Sequence, residues 1–175
     1  MTETLTVRES TKADIPAIED LYPRAFPDED LLPIVRPLLV SEYLSLSLAG
    51  IMKGSVVGHI AFTSCSVKDH PEKLAMLAPL AVDPECQRQG VGKALIAAGL
   101  KRLEKSGICK VLVLGDPAYY SRSGFLPERK IIAPYDLTQE YQDAWQSLDI
   151  GRGDTGLRGL LQVPKLWQQE SLWTP

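Results

Sequence analysis

The sequence predicts an α/β (α+β) domain with a mixed, mostly antiparallel sheet, flanked by helices, whose central pair of strands is parallel. Two patterns support this prediction. Residues 45–67 alternate apolar and polar side chains on both sides of Lys53-Gly54, which indicates an antiparallel hairpin. Residues 74–115 read as an apolar strand, a loop with glycines, an amphipathic helix and a second apolar strand. A unit of this kind joins parallel strands.

The composition is that of one soluble domain, which we place at residues 1–175. Of the 175 residues 45% are hydrophobic and 23% are charged, so the chain can bury a substantial core. The net charge is −3, with Lys and Arg scattered, so we expect no nucleic-acid partner. No apolar run approaches the ~20 residues of a membrane-crossing helix, and the chain does not begin like a signal peptide, so we expect no membrane partner.

The cysteines are odd in number and far apart: Cys65, Cys86 and Cys109. They form no CxxC motif and have no histidine beside them. This pattern indicates reduced thiols, a cytoplasmic protein and no metal site.

The N-terminal third predicts a strand, a helix and a helical connection. Leu5 and Val7 alternate with polar residues, as in a strand. Thr11 and Asp14 have the spacing of a capping box, and the apolar residues that follow lie on one helical face: Ile15, Ile18, Tyr22 and Ala25. We expect three prolines, Pro27, Pro33 and Pro37, to break the next segment into a short, irregular helical connection.

The hairpin and the βαβ unit follow. We expect the second hairpin strand to place Val56, Ile60 and Phe62 on one face. Proline cannot donate to a ladder, so Pro79 predicts that the apolar strand of residues 74–84 parts from a neighbour there or carries a bulge. The helix after the glycines has a buried stripe and ends near Gly107. The stripe consists of Ile96, Leu100 and Leu103.

The C-terminal part is weakly patterned. Short strands are predicted around Ile131–Ala133 and Leu160–Val163. Trp167 and Trp173 require burial, within the chain or in a homodimer.

The glycine loop has the pattern Gln87-x-x-Gly90-x-Gly92. It is not a Walker A loop, because residue 94 is Ala, and not a dinucleotide fingerprint, because residue 95 is Leu. Backbone N–H groups from about Arg88 to Lys93 would point into one hollow at the positive end of the helix. We interpret the loop as a pyrophosphate cradle to which Arg88 and Lys93 could add positive charge.

The sequence here resembles the GNAT-type N-acetyltransferase superfamily, and within it the YhbS-like branch of bacterial acetyltransferases. The resemblance rests on "LAPLAVDPECQRQGVGKALI" and "VLVLGDPAYYSRSGF" and runs from about Val56 to Phe125. It implies the GNAT fold, in which the two central parallel strands splay and the pantetheine arm of acetyl-CoA lies in the gap. By the same resemblance the residues that bind acetyl-CoA are Leu80, Ala81, Val82, Gln87, Arg88, Gln89, Gly90, Val91, Gly92 and Lys93.

Transfer of an acetyl group requires that the leaving thiolate be protonated. The resemblance places the general acid at Tyr120, four residues before Gly124-Phe125. Tyr119 is read as a packing residue, and Ser121 is a weaker candidate. Candidates for the general base remain open: Asp28, Glu29, Asp30, His59, Asp116 or water. No Ser-His-Asp set and no carboxylate cluster with metal-ligand spacing is present in the sequence.

The expected function is therefore N-acetyl transfer from acetyl-CoA, as co-substrate, to an amine of a small molecule or a protein. The amine would attack directly in a ternary complex, because no cysteine is placed to carry an acetyl group. One alternative is a CoA-binding sensor or regulatory module of the same fold. Another is an acyltransferase that uses longer chains or a hydroxyl acceptor.

Overall fold

The computed structural model describes residues 4–151 and 156–174. Five helices occur in these residues: α1 (Ile15–Ala25), α2 (Leu32–Leu39), α3 (Val91–Lys105), α4 (Pro117–Tyr120) and α5 (Gln139–Gln142). Nine strands accompany them in the same described ranges: β1 (Thr6–Glu9), β2 (Leu44–Met52), β3 (Ser55–Val67), β4 (Leu74–Val82), β5 (Lys110–Leu114), β6 (Leu126–Pro127), β7 (Ile131–Ile132), β8 (Trp145–Asp149) and β9 (Gly159–Gln162). No helix within these ranges is both long and apolar enough to span a bilayer.

The chain forms two compact units, Met1–Phe62 with Ala78–Lys101, and Thr63–Leu77 with Arg102–Pro175. In the first unit β1 pairs antiparallel with β2, and β3 and the end of β4 follow in the sheet. Of the predicted face of α1, Ile18 and Tyr22 are almost fully buried, whereas Ile15 and Ala25 are half-buried. Leu21, which was not predicted, completes the buried face. The predicted strand, helix and hairpin of this unit are confirmed.

Two local devices set the boundaries of the N-terminal elements. The Thr11 and Asp14 capping box is present, with the Thr11 N–H donating to Asp14 Oδ2 at 2.7 Å. The Lys53-Gly54 turn has φ of 49° and 74°, the double left-handed conformation of a two-residue hairpin loop.

The prediction that prolines break the connection before the hairpin was wrong for two of the three. Residues Leu32–Leu39 form an eight-residue helix, with Pro33 in its first turn and Pro37 inside it. Proline in the first turn removes an N–H that has no helical acceptor, so Pro33 is compatible with the helix start. The buried face of Ile34, Val35 and Leu38 holds the remainder of the helix in place.

In the second unit the start of β4 pairs parallel with β5, from Leu74↔Lys110 to Met76↔Leu112. Strand β8 pairs antiparallel with β5 along its whole length and also with β6. The end of β3 pairs antiparallel with β9, which carries β7 as a short parallel neighbour. The predicted mixed, mostly antiparallel sheet with a parallel pair and flanking helices is thus confirmed.

The C-terminal predictions are also confirmed, although one strand was missed. Strands β7 and β9 fall on the two predicted segments, and Trp167 and Trp173 are buried within the chain. Their indole N–H groups donate to Thr63 Oγ1 and to the Trp167 carbonyl, each at 2.9 Å. Strand β8, with the sequence WQSLD, was not predicted because only Trp145 and Leu148 are apolar.

Candidate cofactor-binding and catalytic sites

The glycine loop lies in the first unit, between the end of β4 at Val82 and the start of α3 at Val91. Asp83, the first residue of the loop, is held in place by several hydrogen bonds. The Asp83 N–H donates to the Val57 carbonyl at 2.8 Å, and its carboxylate accepts the Glu85 N–H at 3.0 Å and pairs with Arg24 of α1. Burial alone would raise the pKa of Asp83, but the Glu85 N–H and the Arg24 guanidinium lower it below its usual value. Asp83 is therefore a charged anchor of the loop.

The loop proper, from Gln87 to Gly90, is exposed and sharply turned. Arg88 and Gly90 have φ of 61° and 82°, the left-handed region, which glycine adopts without strain and arginine rarely does. The side-chain amides of Gln87 and Gln89 donate to the Val82 and Glu85 carbonyls at 3.3 and 3.1 Å. These two bonds tie the loop back onto the end of β4 and the turn after it.

Helix α3 begins with N–H groups that have no acceptor within the helix. The Ala94 N–H donates to the Gly90 carbonyl at 3.0 Å, so the N–H groups of Val91, Gly92 and Lys93 precede the first helical bond. Partial positive charge accumulates at this end of the helix. The predicted residues 87–93 thus form an exposed loop, Gln87–Gly90, followed by a helix start in which Val91 and Gly92 are buried, and this segment could hold an anionic group.

Sequence reasoning missed Gly58, which brings α3 close to β3. A Cβ at Gly58 would lie 2.8 Å from Val91 Cγ1 and 2.9 Å from Leu95 Cδ1. Such separations leave no room for a side chain, so the first turn of α3 packs directly on the strand backbone. An isolated glycine inside a strand pattern was the available signal. Gly99 plays the same part further along the helix, where a Cβ would meet the Phe62 ring at 2.5 Å.

The tyrosine turn lies in the second unit, directly after β5. Asp116 caps the short helix α4, since its carboxylate accepts the Ala118 N–H at 2.9 Å and its carbonyl accepts the Tyr120 N–H at 3.0 Å. Gly124 ends the turn with φ of 96°, and the Phe125 N–H donates to the Tyr120 carbonyl at 3.3 Å. These bonds explain the spacing between the tyrosine and the Gly-Phe pair.

The Tyr120 ring is packed on several sides and partly open to solvent. It contacts Tyr119 and Phe125 edge to face, with ring centroids 5.0 and 5.8 Å apart. Burial raises the pKa of the Tyr120 phenol above its usual value near 10, so the phenol keeps its proton at neutral pH. The Tyr119 ring is more exposed, at 37%. The Tyr120 phenol is thus a protonated donor held in a defined turn.

The candidate bases have different surroundings. His59 is completely buried, with Nδ1 2.6 Å from the Tyr22 hydroxyl and Nε2 2.8 Å from Ser47 Oγ. Burial lowers the pKa of His59 to about 3, and both ring nitrogens are occupied within the core. Asp116 is used as a helix cap. The three acidic residues between α1 and α2 are exposed: Asp28, Glu29 and Asp30.

No group of three or more His, Cys, Asp or Glu side chains in residues 4–151 and 156–174 has an arrangement that could hold a metal ion.

Comparison with known proteins agrees with these observations. The sequence profile of the Acetyltransferase (GNAT) family matches residues 15–125, which include the glycine loop and the tyrosine turn. The uncharacterized N-acetyltransferase YjhQ of Escherichia coli (strain K12) is 38% identical over 141 residues, covering 77% of this chain and 78% of that protein.

Two solved structures are similar over nearly the whole chain. The GNAT family N-acetyltransferase YhbS from Escherichia coli, in complex with CoA, has a TM-score of 0.88 and 27% identity, covering 97% of this chain and 94% of that one. A GNAT family acetyltransferase from Brucella melitensis, in complex with acetyl-CoA, has a TM-score of 0.76 and 26% identity, covering 95% of this chain and 99% of that one. The chain therefore belongs to the GNAT family of acetyltransferases.

Proposed function

We propose that this protein transfers the acetyl group of acetyl-CoA to an amine, of a small molecule or of a protein, by direct attack in a ternary complex. The observation that carries the proposal is the exposed glycine loop at the start of α3 in a chain of this family. Two structurally similar relatives hold CoA and acetyl-CoA, respectively. We further propose that the reaction takes place in the cytoplasm.

The pyrophosphate of acetyl-CoA would lie against the start of α3. The N–H groups of Val91, Gly92 and Lys93 supply donors without helical acceptors, and the left-handed Gly90 lets the loop turn without a side chain facing the ligand. Arg88 and Lys93 are exposed and would add positive charge. Gln87 and Gln89 would act mainly by fastening the loop, since their amides bond to nearby carbonyls.

The pantetheine arm would run along β4. The parallel ladder to β5 reaches Met76 on this strand, and β4 then continues through Pro79 to Val82. We assign the arm to this last part of β4, where the backbone groups of Leu80, Ala81 and Val82 would bond to its amides. We also propose that the strand pair parts near Pro79, and the arm would run directly from the glycine loop.

In the chemical step the amine nitrogen attacks the thioester carbon, the carbon–sulfur bond breaks, and the sulfur leaves as a thiolate. Tyr120 would donate its proton, or a strong hydrogen bond, to this sulfur. A free tyrosine has a pKa of ~10 and a thiol ~8.5, so full transfer is uphill by about 2 kcal/mol in water. Desolvation makes the thiolate a stronger base, but burial also raises the pKa of the Tyr120 phenol, so the two effects act in opposite directions on that difference.

The amine must also lose a proton. We assign this proton to water rather than to His59, because both imidazole nitrogens bond within the core and the ring has no exposed surface. Asp28, Glu29 and Asp30 are exposed carboxylates that could receive the proton from water or attract a cationic amine.

The test is a panel of amines, among them polyamines, amino acids and lysine peptides, with thiol release from acetyl-CoA as the readout. We expect at least one amine to raise the rate well above that with water alone, and mass spectrometry to find the acetylated amine. A protein that binds CoA but shows no acceptor-dependent thiol release across the panel would instead be a sensor or regulatory module.

A further inference from the structure

Gly115, at the end of β5, lies directly against the Tyr120 ring. A Cβ added to Gly115 would be 2.4 Å from Tyr120 Cε2, 3.1 Å from Cδ2 and 3.5 Å from Cζ. The first of these distances is far shorter than any ordinary carbon–carbon contact. Gly115 is not among the residues with left-handed φ, so its backbone conformation is open to other amino acids. Glycine is therefore needed here because of the tyrosine ring.

The peptide groups on both sides of Gly115 are fixed by the strand beside it. The Gly115 N–H donates to the Ala144 carbonyl at 3.0 Å, and its carbonyl accepts from Gln146 Nε2 at 3.1 Å. The same Nε2 also donates to the Ala144 carbonyl at 3.2 Å. Gln146 is only 1% exposed, so its side-chain amide has no access to water and depends on these hydrogen bonds within the protein. Gly115 thus cannot move away from a crowded ring without breaking bonds that are costly to leave unmade.

The turn that carries Tyr120 also contributes contacts to its ring. Phe125 lies 5.8 Å from it, centroid to centroid and at 74°, and α4 fixes the backbone of Tyr120 through the cap at Asp116. With the backbone fixed, the direction of the hydroxyl depends on where the ring comes to rest. The surface of Gly115 sets that position on one side.

We propose that Gly115 and Gln146 are positioning residues that set the direction of the Tyr120 hydroxyl toward the leaving sulfur. The inference rests on the proposed role of Tyr120 as the general acid. Gly115 allows the ring to approach the β5 backbone, and Gln146 holds the Gly115 carbonyl so that this surface stays in place. Neither residue touches acetyl-CoA or the amine in this assignment. A displacement of about 1 Å at a reacting group is enough to lower a rate by ~10²-fold.

A double-mutant cycle tests this. Gly115→Ala should lower kcat by about 10- to 100-fold, while CoA affinity and the KM for the amine change less than about twofold. In a Tyr120→Phe background the hydroxyl is already absent, so Gly115→Ala should lower kcat no further. Gly50→Ala is the matched control, since it adds the same methyl group to β2, where the nearest atom would be at an ordinary 3.5 Å. Its kcat should equal that of the wild type.

Gln146→Met provides a second, independent test of the same proposal. It keeps the length of the side chain but removes the donor to the Gly115 carbonyl, so it should also lower kcat only when the Tyr120 hydroxyl is present. If the melting temperature shows that Gly115→Ala does not fold, the double-mutant cycle is measured with Gln146→Met and Tyr120→Phe alone.

The outcomes separate the two proposals. If Tyr120→Phe leaves kcat unchanged, the general-acid role is wrong and the positioning role is wrong with it. If Tyr120→Phe lowers kcat but Gly115→Ala and Gln146→Met have no effect, or lower kcat equally in both backgrounds, the acid role stands and the positioning role is overturned.

Discussion

The Tyr22 hydroxyl lies 2.6 Å from Nδ1 of His59, in the core between α1 and β3. On the other side of the ring Nε2 lies 2.8 Å from Ser47 Oγ, which is itself 2.6 Å from Ser10 Oγ. A neutral imidazole satisfies both contacts when the Tyr22 hydroxyl donates to Nδ1 and the Nε2–H group donates to Ser47. The arrangement thus joins α1, β2 and β3 through one uncharged histidine.

We expect this histidine to make the fold sensitive to mild acid. Burial lowers the pKa of His59 to about 3, although Asp14 opposes the shift, whereas the unfolded chain has a value near 6.5. The unfolded state therefore binds a proton first as the pH falls. The stabilisation is fully present above pH ~6.5 and is lost progressively below it, by about 2 kcal/mol between pH 7 and pH 5.

Urea unfolding of the wild type and His59→Gln at pH 7, 6 and 5 measures this effect. Glutamine can form hydrogen bonds but does not titrate, so the free energy of unfolding of His59→Gln should fall by about 2 kcal/mol less than that of the wild type over this interval. Asp14, with its pKa lowered to about 2 chiefly by Arg8, titrates well below the interval and does not interfere. Parallel curves for the two proteins would contradict the assignment of a neutral buried His59.

The second prediction concerns the buried charges at the start of β5. Lys110 Nζ lies 3.3 Å from Glu128 Oε1 and 3.2 Å from Asp149 Oδ1, and both Lys110 and Glu128 are almost fully buried. Burial would raise the pKa of Glu128. Hydrogen bonds from the Ile131 N–H, the Ser147 hydroxyl and the Lys130 N–H, and the charge of Lys110, lower this pKa below its usual value. The three hydrogen bonds remain when Lys110 is removed, so we expect the carboxylate to stay charged at neutral pH.

Lys110→Met should lower the free energy of unfolding by about 3–5 kcal/mol, because it leaves a buried charge without its counter-ion. Arg129→Met is the matched control. It breaks the Arg129–Asp143 pair of the same unit, whose side chains are 60% and 70% exposed, and should change the free energy of unfolding by no more than about 1 kcal/mol. Equal losses in the two variants would show that burial of the Lys110 pair is unimportant for stability.

Local patterns were sufficient to predict much of the fold. The capping box at Thr11, the Lys53-Gly54 turn and the βαβ order are set by residues close together in the sequence, and each was found where it was predicted. Strand β8 was missed because its stability comes from pairing with β5 and β6 rather than from its own composition. Pro37 was misjudged because the buried face of α2 outweighs the lost helical bond.

In the candidate site, too, the local features could be predicted from the sequence and the contacts between distant residues could not. The loop Gln87–Lys93 is local, so its position at the start of α3 could be predicted. The Arg24–Asp83 pair joins residues far apart in the sequence and has no sequence signal of its own. The isolated glycine at Gly58 was a signal, but it did not show that the strand packs against Val91. His59 shows the converse case, since its residue type suggested a base, whereas its burial makes it a structural residue.

The third prediction concerns cofactor binding. Gly92→Asp would place a carboxylate in the first turn of α3, where the pyrophosphate is proposed to lie. The affinity for CoA should fall at least ~10-fold, equivalent to ~1.4 kcal/mol, because two negative groups would compete for the same N–H donors. An acidic residue near a helix start is favourable to the helix itself, but Gly92 is buried, so the melting temperature of the variant is measured before its CoA affinity.

Isothermal titration calorimetry measures this affinity. Ala97→Asp is the matched control, because it adds the same charge to an exposed position further along α3 and should leave CoA affinity within about twofold of the wild type. Unchanged CoA affinity in a folded Gly92→Asp protein would mean that the pyrophosphate binds elsewhere.

The last prediction concerns the acid itself. Tyr120→Phe keeps the ring that packs against Phe125 and removes only the hydroxyl, which makes no hydrogen bond within the described part of the chain. Melting temperature and CoA affinity should therefore be unchanged, while kcat falls about 10²- to 10⁴-fold. The loss should appear in kcat rather than KM, because charge develops on the sulfur only as the bond breaks.

Tyr119→Phe removes the hydroxyl of the more exposed neighbour and should have little effect. Both variants should be measured with the best amine of the panel. A large loss in Tyr119→Phe alone would move the acid role to Tyr119, and unchanged kcat in both would mean that the acid role is wrong and that water protonates the thiolate.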